Sequence, residues 1–161
     1  MLRVNTIKPA RATKTGQSPF VTRPRVGFPV VAQLAVELIL MRELAGKLAM
    51  PVFVVDPDGG LLFYNEPAEE LLGTRFDETG ALPMGDWSVQ FTPTDEQGRP
   101  LAAESLPLVQ VVRSHRAAHG QFWIRGMDGA QRFLEVTAFP LLGQGEVFLG
   151  AAALFWEVAR R

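Results

Sequence analysis

Two histidines, no cysteine, and carboxylates bunched at turns and helix starts are the reactive side chains of this 161-residue chain. His115 and His119 stand four apart, the spacing that puts two imidazoles on one helical face as half of a zinc site. Ala117-Ala118 and Gly120 fall where that helix should be ending, so the pair is not read as a metal site. Without cysteine there is no thiolate ligand, cysteinyl nucleophile or disulfide. No Gly-x-Ser-x-Gly elbow presents a serine. Glu66, Glu69 and Glu70 sit where a helix dipole favours acids. The chain is read as non-enzymatic.

Composition limits the alternatives. With 47% hydrophobic and 20% charged residues the chain can bury a real core. Residues 1–30 hold six bases and no acid, while the remainder holds 10 bases and 17 acids. Dispersed among proline, threonine, glycine and serine, the six bases read as a solvated tail, which does not favour nucleic acid as a partner. The later apolar stretch is interrupted by Glu37 and Arg42, so neither a secretory signal nor a membrane span is expected. A cytoplasmic location fits the absence of cysteine.

The elements that must position any site follow from local chemistry. Residues 1–29 carry four prolines and no hydrophobic period, the pattern of a flexible basic arm. Residues 30–49 are rich in Leu, Ala and Glu and predict an amphipathic helix ended by Pro51. Leu34, Leu38, Met41, Ala45 and Leu48 mark its seam, and Val36, Ile39, Leu40 and Leu44 widen the apolar surface beyond it. Residues 50–159 then form one domain. Val52 to Val55 and Leu61 to Tyr64 predict a hairpin across Asp-Pro-Asp-Gly-Gly. Asn65 caps a short helix that stops at Gly73. Trp87 and Phe91 anchor a stretch broken by glycine and proline. Pro107 opens a second helix, and Leu108, Val111, Val112 and His115 share one of its faces. Three strands follow, the first two joined across Met127-Asp128-Gly129-Ala130.

This order resembles a PAS domain, the sensory module of many signalling proteins. The resemblance rests on "VFVVDPDGGLLFYNEPAEELLG", on "DEQGRPLAAESLPLVQVVRS", and on "RGMDGAQRFLEVTAFPLL" followed by "GEVFLGAAALFWEV". It implies an α+β fold: a five-stranded antiparallel sheet in order 2-1-5-4-3, with short helices on its concave face. The first helix is expected on the outer face. Many relatives end in an Asp-Ile-Thr-type motif leading into an output domain. Here "FWEVARR" stands in its place, so the signal is expected to pass to an unknown partner protein or through self-association.

The resemblance also implies a site. It puts Phe122, Ile124, Leu134, Val136, Ala152 and Leu154 on the concave face, and the period of two along each strand agrees. Leu108 and Val112 join them from the helix. These side chains are apolar and predict a small apolar ligand or, in the other reading, a filled core in an interaction adaptor. Ala138, Gly150 and Ala152 are small and would leave space. Some relatives ligate haem near the position of His115, but a histidine in a last helical turn suits the dipole without iron. Flavin–cysteinyl photochemistry needs the missing cysteine, so neither cofactor is favoured. The outer positions Trp123, Phe133, Phe139, Val147, Leu149, Ala151, Ala153 and Phe155 need an apolar cover. The first helix is expected to supply it and to form a homodimer through Leu34, Leu38, Met41 and Leu48.

Overall fold

Each element forms where its local chemistry asks for it. A computed structural model describes residues 30–159, with side chains from Val36 onward. The arm over 1–29 and the side chain of Leu34 lie outside the described residues. Helix α1 spans Val30–Ala45, ending before the expected boundary at 49. Gly46 to Leu48 turn instead, with Lys47 N–H donating to the Leu44 carbonyl at 3.0 Å and Leu48 N–H to that of Ala45 at 3.2 Å.

Strands β1 (Val52–Val55) and β2 (Leu61–Tyr64) flank a turn folded by Asp56. Its Oδ1 accepts from the amides of Asp58 at 2.9 Å and Gly60 at 2.8 Å, a side-chain imitation of a backbone turn. Asn65 caps α2 (Glu66–Leu72) by accepting from Ala68 N–H, and Gly73 ends it at φ 70°. Short helices α3 (Phe76–Thr79) and α4 (Met84–Gln90) precede α5 (Pro107–Ser114). Strands β3 (Ala118–Arg125), β4 (Gln131–Leu142) and β5 (Phe148–Glu157) close the domain. The sheet is antiparallel and runs β2-β1-β5-β4-β3, the order expected.

Register decides which side chains meet the helices. Val136 pairs with Phe155 and Ala138 with Ala153, and directly opposed residues share a face. Ala151, Ala153 and Phe155 therefore point to the concave side, in one core with Phe53, Leu134 and Val136. Ala152 and Leu154 point the other way, packed with Val54 and Phe139. This corrects the expected facing of β5, which had Ala152 and Leu154 inward and Ala151, Ala153 and Phe155 outward.

A bulge is the cause. Leu141 pairs with Gly150 and Leu142 with Phe148, so Leu149 is passed over. A one-residue slip reverses every side chain beyond it. Gly150 permits this at φ 131°, and a Cβ there would collide with the Val55 carbonyl. The missing side chain leaves no space for a ligand, because β1 backbone fills it.

Helix α1 lies across the outer face. Its Ala45 is fully buried, and Leu38 and Met41 pack with it against Val52, Val54 and Ala152. Leu38 and Met41, both half-buried, thus face their own sheet. Leu48 lies past the helix end and is 38% exposed.

Candidate ligand cavity on the concave face

Helices α4 and α5 lie over the concave side of the sheet, and a cavity of about 80 Å³ remains between them and the strands. Phe53 of β1, Trp87 and Ser88 of α4, Phe91 just beyond it, and Leu108 of α5 line it from one side. Phe122, Ile124, Leu134, Val136, Ala153 and Phe155 of the last three strands line the other.

Trp87 is held in place through its only polar atom. Nε1 donates to the Gly59 carbonyl in the β1–β2 turn at 2.8 Å, and the ring tilts at 60° to Phe53 with centroids 5.3 Å apart. Ser88, 3% exposed, is the polar side chain of the wall, and its hydroxyl donates to the Gly85 carbonyl at a long 3.4 Å. No charged side chain lines the cavity among the described residues. A wall of this kind gives a charged guest nothing to offset its lost hydration. Size is a second filter: an engineered apolar cavity of about 150 Å³ takes benzene.

Of the expected pocket residues, Leu108, Phe122, Ile124, Leu134 and Val136 are brought together here. Val112 is not part of the wall; it packs half-buried at the margin of the core. Ala152 and Leu154 lie beneath α1, on the far side of the sheet. Phe53, Ala153, Phe155 and the ring of Trp87 were missed as lining residues. Only the aromatic residues offered a signal, since β1 and β5 are apolar on both faces and alternation says nothing there.

The matching family model, for the PAS fold, covers residues 46–161. The chain belongs to the PAS family. Among solved structures it is similar to the PAS domain of a protein from Colwellia psychrerythraea. That pair shares 16% identity at a TM-score of 0.55, over 78% of this chain and 99% of the other. The LOV protein of Rhodobacter sphaeroides aligns at 12% identity and TM-score 0.62, over 78% and 69% of the two chains. The PAS domain from the fruit-fly ELK potassium channel aligns at 8% and 0.60, over 76% and 98%. Likeness at such identities is likeness of fold. No curated protein matches the chain by sequence.

As a PAS domain the chain is a sensory and signalling module. Its histidines lie away from the cavity. His115 ends α5 in the left-handed conformation at φ 55°, and its exposed ring stacks on Phe148 with centroids 3.9 Å apart. His119 sits on β3, with Nδ1 3.0 Å from the Thr137 hydroxyl and Nε2 3.5 Å from Glu135. One ring leaves a helix end and the other a strand. The shifted titrations belong to groups outside the wall: burial raises Tyr64, which stacks behind Phe53, while backbone and side-chain hydrogen bonds from Arg99 lower Asp95. Among the described residues no helix of this PAS domain is long and apolar enough to cross a membrane.

Proposed function

We propose that this PAS domain is a non-enzymatic cytoplasmic sensor. It takes a small, neutral, apolar molecule into the cavity and reports occupancy through α1, by self-association or to a partner protein. The observation that carries this reading is the cavity wall, which is apolar, rich in aromatic rings and assembled from helices and strands at once. An occupant pressing on Phe53 and Ala153 presses on β1 and β5, whose opposite face seats α1 through Val54 and Ala152. Haem and flavin are far larger than a cavity of about 80 Å³ and play no part in this reading.

The test is mass spectrometry of the full chain purified without denaturant, before and after heat release. The expected result is a bound apolar species, or failing that uptake of xenon seen as shifts of the Val136 and Ala153 methyl signals. The small volume favours a second reading, a ligand-free interaction and dimerisation adaptor with a filled core. A clean spectrum and unmoved methyl signals would select the adaptor and end the sensor.

A further inference from the structure

We propose that Ser88 is the specificity-determining residue of the cavity, and that the molecule it admits carries one hydroxyl or carbonyl oxygen on a small apolar body. This rests on the sensor reading and narrows it, from apolar guests in general to short neutral oxygen compounds. Helix α4 turns one face toward the sheet. Met84, Trp87 and Ser88 form that face with Phe91 just beyond the helix, while Asp86 and Val89 are exposed. Every member but Ser88 is a large apolar side chain. Ser88 is buried as deeply, at 3% exposed beside 7% for Trp87 and 6% for Phe91.

Among the described residues Asn65 is the other buried polar side chain, and its bonds go to the backbone of several elements. Ser88 has one bond, from its hydroxyl to the Gly85 carbonyl at 3.4 Å. That is about 0.6 Å beyond the usual O–H···O length, so it returns little of what the hydroxyl lost on leaving water. Alanine would sit there at lower cost and is the better helix former. A local rule broken in the wall of a cavity points to a group kept for a guest.

The space fits a guest of that kind. About 80 Å³ is roughly half the engineered cavity that takes benzene, which leaves room for about three heavy atoms. A serine hydroxyl both donates and accepts and turns about its Cβ–Oγ bond, so it can meet an alcohol or a carbonyl. Water is the poorer tenant, because a buried water makes about three hydrogen bonds and the side chains of this wall offer one. A carboxylic acid or an amine would give up its hydration with no opposite charge in the wall.

The test uses ethanol and propane, which match in size and differ in one oxygen, with xenon as a probe of space alone. Each is titrated into the full chain and into its Ser88→Ala variant, following the Val136 and Ala153 methyl signals. Xenon and propane should bind the two proteins alike, while ethanol should bind the variant roughly 3- to 10-fold more weakly. Each guest is compared with itself, so its own cost of leaving water cancels. The urea midpoint of the variant should be unchanged or higher, since the long bond to Gly85 contributes little. A lower midpoint with unchanged ethanol affinity would make the hydroxyl a structural group of α4. Ethanol and propane weakening together would likewise remove Ser88 from selection, with the sensor reading still standing. Xenon entering without either of the other two would overturn the proposed class of guest. No response to any of the three would end the sensor reading, and this inference with it.

Discussion

The side chain of Asn65 holds the last residue of α1: its Nδ2 donates to the Ala45 carbonyl at 2.8 Å. The same amide donates to the Met50 carbonyl at 2.8 Å, and Oδ1 accepts from the amides of Val52 at 2.9 Å and Ala68 at 3.3 Å. One buried side chain thus satisfies backbone groups of the outer helix, the linker, β1 and α2. The residue that caps a helix on the cavity side also sets where the helix on the opposite side begins its exit.

Removing that amide should loosen α1 first. Asn65→Ala leaves three carbonyls, those of Ala45, Met50 and, at a longer 3.4 Å, Leu48, and two amides without this partner, each costing about 1–3 kcal/mol if it stays buried. Because α1 can shift and admit water, the expected loss is about 3 kcal/mol by urea unfolding, below the simple total. Amide exchange in α1 should quicken more than in β4. Equal protection of α1 in variant and wild type would show that Asn65 is not its tether.

Neighbouring alanines on β5 should respond in opposite ways. Ala153→Leu projects into the cavity and should fold at a cost no greater than about 1–3 kcal/mol while losing xenon uptake. Ala152→Leu, pressed against α1, should keep that uptake and instead weaken helix docking, seen as faster exchange in α1. Swapped outcomes would mean that β5 faces the other way.

Acid stability should depend on Asp128. The Arg132 guanidinium first, then the Ala130 amide, hold its carboxyl at about 2 against an ordinary 3.8. A depressed folded-state value contributes stability that is complete above the unfolded pKa and lost as pH falls through the folded one. Asp128→Asn should therefore flatten the fall of the urea midpoint between about pH 4 and pH 2. Some slope should persist, since Asp95 is lowered as well. Identical slopes in variant and wild type would remove Asp128 from the acid response.

His115 should behave as a helix terminator. At φ 55° it occupies a conformation that glycine adopts freely, so His115→Gly should be close to neutral, trading the stack on Phe148 for relief of strain. His115→Ala loses the stack and keeps the strain, and should cost roughly 1 kcal/mol. Protein grown with added haem should show no Soret band. A stoichiometric band that His115→Ala abolishes would give the histidine a different role.

Local chemistry was readable from the sequence alone. Asp56 turning the first hairpin, Asn65 capping α2, Gly73 ending it and Pro107 opening α5 each depend on neighbours within a few residues, so type and spacing suffice. The resemblance carried the strand order and the apolar character of the concave face. Tertiary structure alone decided the facing of β5, because "FLGAAALFW" is apolar on both sides and alternation carries no signal there. Its parity is set by pairing with β4 around the bulge at Gly150, a relation between distant segments. The same limit hid the inward face of α1. A helix with apolar residues on every side and its few polar ones scattered among them has no preferred side until a sheet is laid against it, and only then do Leu38 and Met41 part from Leu40 and Leu44.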